Sequence, residues 1–268
     1  MNKQELLEKS NNEERILLSK VIDKIEYTKT KNKIANTDFL DEHEQKISSD
    51  LLVKMKVNNY ILYGGSDNSE RKILIIYPEK LSNIFKDKIP NKNEYINVIR
   101  IILPKQLYTQ YTHRDYLGGI MKTGIKREKI GDIIVYDEGA DILVMPETAK
   151  YLLYNLPELT RFSKSKIEVI DIKLIKDKKE SYEDIEIIVP SMRLDCIIAE
   201  ITRVSRNKAT EIINQERVFV NFIEETRLSK EIKIEDLITI RGKGRYRITE
   251  VLRKTKNDRL ILKIQKYV

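Results

Sequence analysis

Residues 193–221, RLDCIIAEITRVSRNKATEIINQERVFVN, decide the reading of this chain. Leu194, Ile197, Ile198 and Ile201 recur at helical spacing and form one apolar face, while Ala209, Ile212 and Ile213 form a second. Short strands are expected beyond them, around Val218–Asn221, Leu237–Arg241, Tyr246–Val251 and Leu260–Ile264. Two short helices leading into a small sheet make an α-then-β module that opens at Ser191.

Both predicted helices begin with serine followed by cations, Ser191-Met192-Arg193 and Ser205-Arg206-Asn207-Lys208. Serine is a good N-cap, but a cation in the first turn opposes the helix dipole at a cost of about 0.3–1 kcal/mol each. Lys208 falls at the third helical position, where a capping box would place Glu or Gln. A bound phosphate reverses the sign, because exposed amides and cations then act together. A second basic feature is Arg241-Gly242-Lys243-Gly244-Arg245-Tyr246-Arg247. In extended backbone its four cations project on one side, and the glycines allow a close approach to a sugar-phosphate backbone. Tyr246 either stacks on a base or packs in the core.

Charge points the same way. The chain has 50 Lys and Arg against 42 Asp and Glu, 34% of its 268 residues. From Pro190 onward there are 18 basic and 11 acidic residues, whereas residues 1–189 hold 32 and 31. A localised basic field attracts a polyanion, most commonly a nucleic acid.

Upstream, Ile16, Leu17, Val21, Ile22 and Ile25, then Leu51, Leu52 and Met55 after Ser48-Ser49, predict a mostly helical N-terminal part. Tyr60–Tyr63 is a short apolar stretch, followed by the loop Gly64-Gly65-Ser66-Asp67-Asn68. The pattern then changes to a β-rich run from Ile73 to Tyr77. Next come strand Tyr95–Leu103, helix Thr112–Thr123, strands Asp132–Tyr136 and Asp141–Met145 about an Asp137-Glu138-Gly139 turn, helix Pro146–Leu156 and strand Lys166–Ile175. That order is β-α-β-β-α-β, the ferredoxin-like arrangement also used by RRM domains. Gly118 and Gly119 weaken the first of these helices unless something packs closely on them, and Gly124 suits its C-terminal end. Arg114, Lys126, Arg127 and Lys129 are candidates for a further RNA-facing edge. Lys176–Asp184 reads as a charged surface linker. The fold class is therefore α+β, in three parts: 1–71 mainly helical, 72–184 RRM-like, and 185–268 the α-then-β module.

Signatures of catalysis are lacking. The chain has no phosphate-loop motif and no Gly-x-Gly-x-x-Gly. His43, His113 and Cys196 are far apart and do not have the spacing of zinc ligands, so no cofactor and no metal are expected. The histidines read as surface or helix-end residues and Cys196 as a small core residue. One cysteine, a polar N-terminus and no window of about 18–20 apolar residues fit a soluble cytoplasmic protein with no membrane association.

Arg193-Leu194-Asp195, Ser205-Arg206-x-x-Ala209, Ile213 and Val218-x-Val220-Asn221 resemble the S4 RNA-binding domain, an αL-motif module. Glu216 and Phe222 stand where that pattern has glycine. The whole chain resembles the YlmH family of S4-domain proteins. That resemblance rests on Gly64-Gly65 with Glu70-Arg71-Lys72, His113-Arg114-Asp115-Tyr116-Leu117-Gly118, Gly124-Ile125-Lys126-Arg127, Gly131-Asp132-Ile133 and Arg241-Gly242-x-Gly244-Arg245. It implies a central RRM-like RNA-binding domain and a C-terminal S4 domain. It further implies binding to ribosomal RNA of the large subunit and to tRNA in rescue or quality control of stalled translation, with a link to cell division. The expected RNA contacts are Arg193, Ser205, Arg206, Lys208, Arg217, Asn221, Arg241, Lys243, Arg245, Arg247, Arg114, Lys126 and Arg127, in a monomer without catalytic residues. The rival readings are an RNA-modifying enzyme that uses an S4 domain to hold substrate, and a cell-division adaptor. The nucleotide-binding signatures of tyrosyl-tRNA synthetases are absent, and no catalytic domain follows the S4-like region as it does in many pseudouridine synthases.

Overall fold

The computed structural model describes residues 11–176 and 182–267. The chain divides into two compact units, Met1–Lys178 and Lys179–Val268, and its helices and several sheets are those of an α+β protein.

In the first unit, helices α1 (Asn12–Lys31) and α2 (Glu42–Lys54) each open with a capping box, Asn11 with Glu14 and Asp41 with Glu44. Helix α2 thus begins well before the Ser48-Ser49 pair that precedes its apolar positions, because Asp41 supplies the cap. Strands β1 (Ala35–Asn36), β2 (Tyr60–Tyr63) and β3 (Ile73–Ile76) form an antiparallel sheet with β3 in the middle. All four residues of β3 are buried, since each of its faces packs on a different layer. Leu74 and Ile76 pack with Leu18, Val21, Ile22 and Leu52 of the two helices. Ile73 and Ile75 face the other way, into a core shared with the next sheet.

After a short helix α3 (Ser82–Asp87), the order is β4 (Asn97–Ile102), α4 (His113–Lys122), β5 (Ile130–Tyr136), β6 (Gly139–Val144), α5 (Pro146–Asn155) and β7 (Lys166–Ile170). Spatial order is β5-β6-β4-β7 with every neighbouring pair antiparallel, which is the ferredoxin-like arrangement. The last strand stops at Ile170, five residues short of expectation, and a 3₁₀ turn at Ile172–Leu174 follows. Helices α4 and α5 cover one face of this sheet, where Ile99, Ile101, Ile142 and Val144 meet Tyr116, Ile120, Leu152 and Phe162. Gly119 has its reason there, because a β-carbon on it would lie 2.4 Å from the Phe162 ring. A β-carbon on Gly118 would meet nothing within 4 Å.

Residues 177–181 of the expected linker lie outside the described residues, and Tyr182–Asp184 belong to a strand, β8 (Tyr182–Val189). In the second unit α6 (Leu194–Thr202) and α7 (Arg206–Asn214) lead into β9 (Val218–Val220), β10 (Ile223–Glu224), β11 (Leu237–Ile240), β12 (Gly244–Lys254) and β13 (Leu260–Tyr267). With β8 these make a six-stranded antiparallel sheet in the order β10-β9-β11-β12-β13-β8. Leu194, Ile197, Ile198, Ala209 and Ile213 pack on Val218, Ile238, Ile248 and Leu262, with Cys196 buried among them as a free thiol. Glu216 and Phe222 adopt left-handed backbone, at φ of 57° and 68°, where the S4-like pattern has glycine.

Candidate nucleic-acid interface

The two helix starts of the second unit differ. Arg193, not Ser191, is the N-cap of α6. The amides of Leu194 and Asp195 donate to the carbonyls of Lys230 and Leu228, and that of Cys196 to Asp195 Oδ1, so this start is closed by its own domain. Helix α7 begins as its sequence predicts, with Ser205 as N-cap accepting from the Lys208 amide at 3.4 Å. Ser205, Arg206 and Lys208 are exposed.

Asp195 joins the two starts. It is 3% exposed, yet it accepts from Arg193 Nε and Nη2 at 3.0 and 3.1 Å and from Arg206 Nε at 2.8 Å. Burial alone would raise its pKa, but the hydrogen bonds from Arg193 and Arg206 outweigh it and hold the carboxyl at about 2. The carboxylate thus stays ionised and fixes two guanidinium groups whose outer edges face solvent.

The Arg241–Arg247 segment is not an extended ribbon. Residues 241–243 form the three-residue turn between β11 and β12, with Gly242 at φ 78°, and the strand starts only at Gly244. Its cations therefore do not line one edge. Arg241 lies over the Phe219 ring at 4.8 Å, and its carbonyl accepts from Arg217 Nη2 at 2.9 Å. Lys243 is exposed at the turn, and Arg245 and Arg247 share a half-buried face of β12. Arg247 is drawn to Tyr267 and Glu235. Tyr246 is buried, and its hydroxyl donates to the Lys243 carbonyl, so it packs rather than stacks on a base. Asn221 uses its amide locally, donating to Asp236 and accepting from the Leu237 amide. The candidate cations of this unit that remain at the surface thus fall in two groups, at the start of α7 and at the β11–β12 turn with Arg217.

In the first unit, Arg114 and Lys126 are exposed beside α4, but Arg127 turns inward. It donates to the carbonyls of Ile130 and Gly131 at 2.6 and 3.3 Å, and Arg71 donates to the same Ile130 oxygen. Burial and the neighbouring Arg71 charge bring the Arg127 pKa down to about 10. Lys129 is held between Asp38 and Glu147, each at 2.7 Å. Arg127 is therefore spent on backbone at the start of β5, whereas Lys129, through Asp38, and Arg71, through the Ile130 carbonyl, tie the connections of the first sheet to the second. Several stretches on which the family resemblance rests meet here, since Asp132 accepts from the amides of Glu70 and Arg71. The sequence did not reveal the fully buried Asp141, which holds Arg100 through two 2.7 Å bonds and also accepts from Tyr136 and the Lys176 amide. A charge alternating with apolar residues in a strand was its only local signal.

Among the described residues, no group of three or more His, Cys, Asp or Glu could hold a metal ion, and no helix is long and apolar enough to cross a membrane.

Fold and surface together define an α+β protein of several sheets whose excess positive charge is gathered beyond Pro190. A family model described as "Putative RNA-binding domain in YlmH" matches residues 90–176, the ferredoxin-like part. "Ribosome-associated protein quality control protein P2" of Bacillus subtilis (strain 168) is 30% identical over 225 residues, 83% of each chain. The chain belongs to the YlmH family. Among solved structures, "Cell division protein ylmH from Streptococcus pneumoniae" aligns with a TM-score of 0.49 at 19% identity, over 62% of this chain and 97% of that one.

Proposed function

We propose that this chain is a non-catalytic, cytoplasmic RNA-binding protein that associates with the ribosome. In this reading it binds RNA of the large subunit, together with tRNA, in quality control of stalled translation. Residues 1–71, 72–184 and 185–268 act as an N-terminal domain, an RRM-like domain and an S4 domain, within one monomer. The observation that carries the reading is the pair of guanidinium groups held by Asp195 beside the open start of α7. Amides and fixed cations at one helix start suit a phosphate, and a carboxylate that stays ionised keeps those cations oriented. The printed name of the Bacillus subtilis relative supports the ribosomal setting. Arg193, Ser205, Arg206 and Lys208 form the first RNA-facing group and Arg217, Arg241, Lys243 and Arg245 the second. Arg127, Asn221 and Arg247, engaged within the fold, position other groups and do not reach RNA.

The test is sedimentation of cell extract at low and high salt. The protein is expected to co-migrate with large subunits and to leave them as salt rises, because phosphate binding releases counterions. Arg206→Ala with Lys208→Ala is expected to weaken binding to purified large-subunit RNA. It should also flatten the slope of log K against log salt by roughly 0.7–0.9 for each phosphate no longer neutralised. Migration independent of salt and of these side chains would refute the reading.

A further inference from the structure

The ferredoxin-like domain has two faces, and RRM modules read RNA on the open face of the sheet. Here that face is closed from within. Val98, Ile134 and Leu143 on it pack against Phe39, Ile73 and Ile75 of the first sheet and its connections. The remaining strip carries Arg100, Tyr136 and Asp141. It is crossed by the segment after β7, where Arg100 donates to the Leu174 carbonyl and the Lys176 amide donates to Asp141. The cations along it are neutralised: Arg100 by Asp141, Lys176 by Glu138 and Lys166 by Glu168. Lys176 also lies 3.6 Å over the Tyr136 ring, which covers the aromatic face that a base would need.

The helix layer is the opposite in both respects. On α5 the exposed residues Glu147, Lys150, Tyr151 and Tyr154 fall at the spacing of one helix face. Tyr154 is 76% exposed. The Tyr151 hydroxyl donates to the Thr123 carbonyl at 2.8 Å, which sets this face beside the end of α4 and its exposed Lys122 and Lys126. Of the acidic groups nearby, Glu147 is engaged by Lys129 and Asp115 by Arg161. Among the described residues no carboxylate meets Lys122, Lys126 or Lys150. Unneutralised cations around an exposed aromatic ring suit phosphates with a base or sugar laid on the ring.

We propose that the central domain meets RNA through the exposed surface of its two helices, with Lys122, Lys126 and Lys150 on phosphates and Tyr154 against a base, and not through its sheet. The proposal rests on the RNA-binding reading above and gives that reading a second, separate surface.

The experiment uses the full chain and purified large-subunit ribosomal RNA, titrated over a range of salt concentrations. Lys122→Ala/Lys126→Ala/Lys150→Ala is expected to weaken binding at least about tenfold at low salt and to reduce the salt slope by roughly 2. Tyr154→Ala, at a side chain 76% exposed, is expected to cost at least about fivefold with little change in slope. Lys166→Ala, on the sheet face, is expected to change neither. If the helix-layer variants bind as the parent does while Arg206→Ala/Lys208→Ala loses affinity, the protein binds RNA elsewhere and this proposal is overturned. The same follows if Lys166→Ala is the damaging variant. If the unaltered protein ignores the RNA even at low salt, the RNA-binding reading itself fails and takes the proposal with it.

Discussion

Arg206, the first residue of α7, places both Nε and Nη2 within 2.8 Å of Oδ2 of Asp195, which belongs to the first turn of α6. A charge-assisted interaction of this kind ties two helix starts together and holds the guanidinium plane in a set direction. The same carboxylate takes Arg193 on both oxygens, Nε at Oδ1 and Nη2 at Oδ2, so one buried group organises two cations that reach solvent.

Acid should therefore loosen the C-terminal unit. A carboxyl that binds its proton less tightly folded than unfolded stabilises the fold only while ionised. The Asp195 contribution is complete above the ordinary carboxylate range and is lost as the pH falls toward its native value of about 2. Its size is roughly 2 kcal/mol at neutral pH. Asp195→Asn is expected to lower the urea midpoint at pH 7 and to flatten the fall in stability between about pH 4 and pH 2. An unchanged acid limb would show that the carboxylate does not carry this linkage.

Glu216 follows the C-cap of α7 with φ at 57°, the position at which glycine usually ends a helix. Left-handed backbone costs a residue with a β-carbon roughly 1–2 kcal/mol, part of which is offset by the greater freedom of glycine in the unfolded chain. Glu216→Gly is expected to raise stability by roughly 0.5–1 kcal/mol, read as a higher denaturation midpoint at unchanged slope.

The adjacent glycines of α4 are expected to respond in opposite directions. Gly118→Ala meets open space and should stabilise the protein by about 0.5–1 kcal/mol. Gly119→Ala drives a methyl group into the Phe162 ring and should destabilise it by about 1–3 kcal/mol. Thermal melts of the two variants, moving apart from the parent, check the pair.

Asp141 is fully buried and engages both Nε and Nη2 of Arg100. Those hydrogen bonds raise the Arg100 pKa, and a guanidinium is protonated at neutral pH even without them, so removing the partner leaves the cation in place. Asp141→Asn is expected to destabilise the first unit by roughly 3–5 kcal/mol, because a half-buried cation is left without its counter-charge. Equilibrium unfolding that matches the parent would contradict this assignment.

Much of the molecule was legible along the chain. The order β-α-β-β-α-β, the paired short helices of the last unit, Ser205 as a cap and Gly124 at a helix end follow from apolar spacing and from residues with narrow backbone preferences. The capping boxes Asn11-x-x-Glu14 and Asp41-x-x-Glu44 are written in the sequence as well, although the second lies a full turn or more ahead of the apolar positions of α2. Less legible was the turn at 241–243, where alternating cations and glycines fit a strand as well as a bend. The two are separated only by where Leu237–Ile240 finds its partner.

By itself, then, the sequence determined the central β-α-β-β-α-β order, the two short helices of the last unit and the gathering of positive charge beyond Pro190, because each is a property of nearby residues, whereas the start of β8 read as a charged linker. Tertiary structure alone decided that β3 lies between two layers and closes the sheet face of the central domain. It also decided that Arg127 faces inward, that the start of α6 is shut by the carbonyls of Leu228 and Lys230, and that Asp195 gathers two arginines. The physical reason is that periodicity reports only that a face is buried. What lies against that face, and whether a charge there meets a partner or water, depends on residues tens of positions apart in the chain.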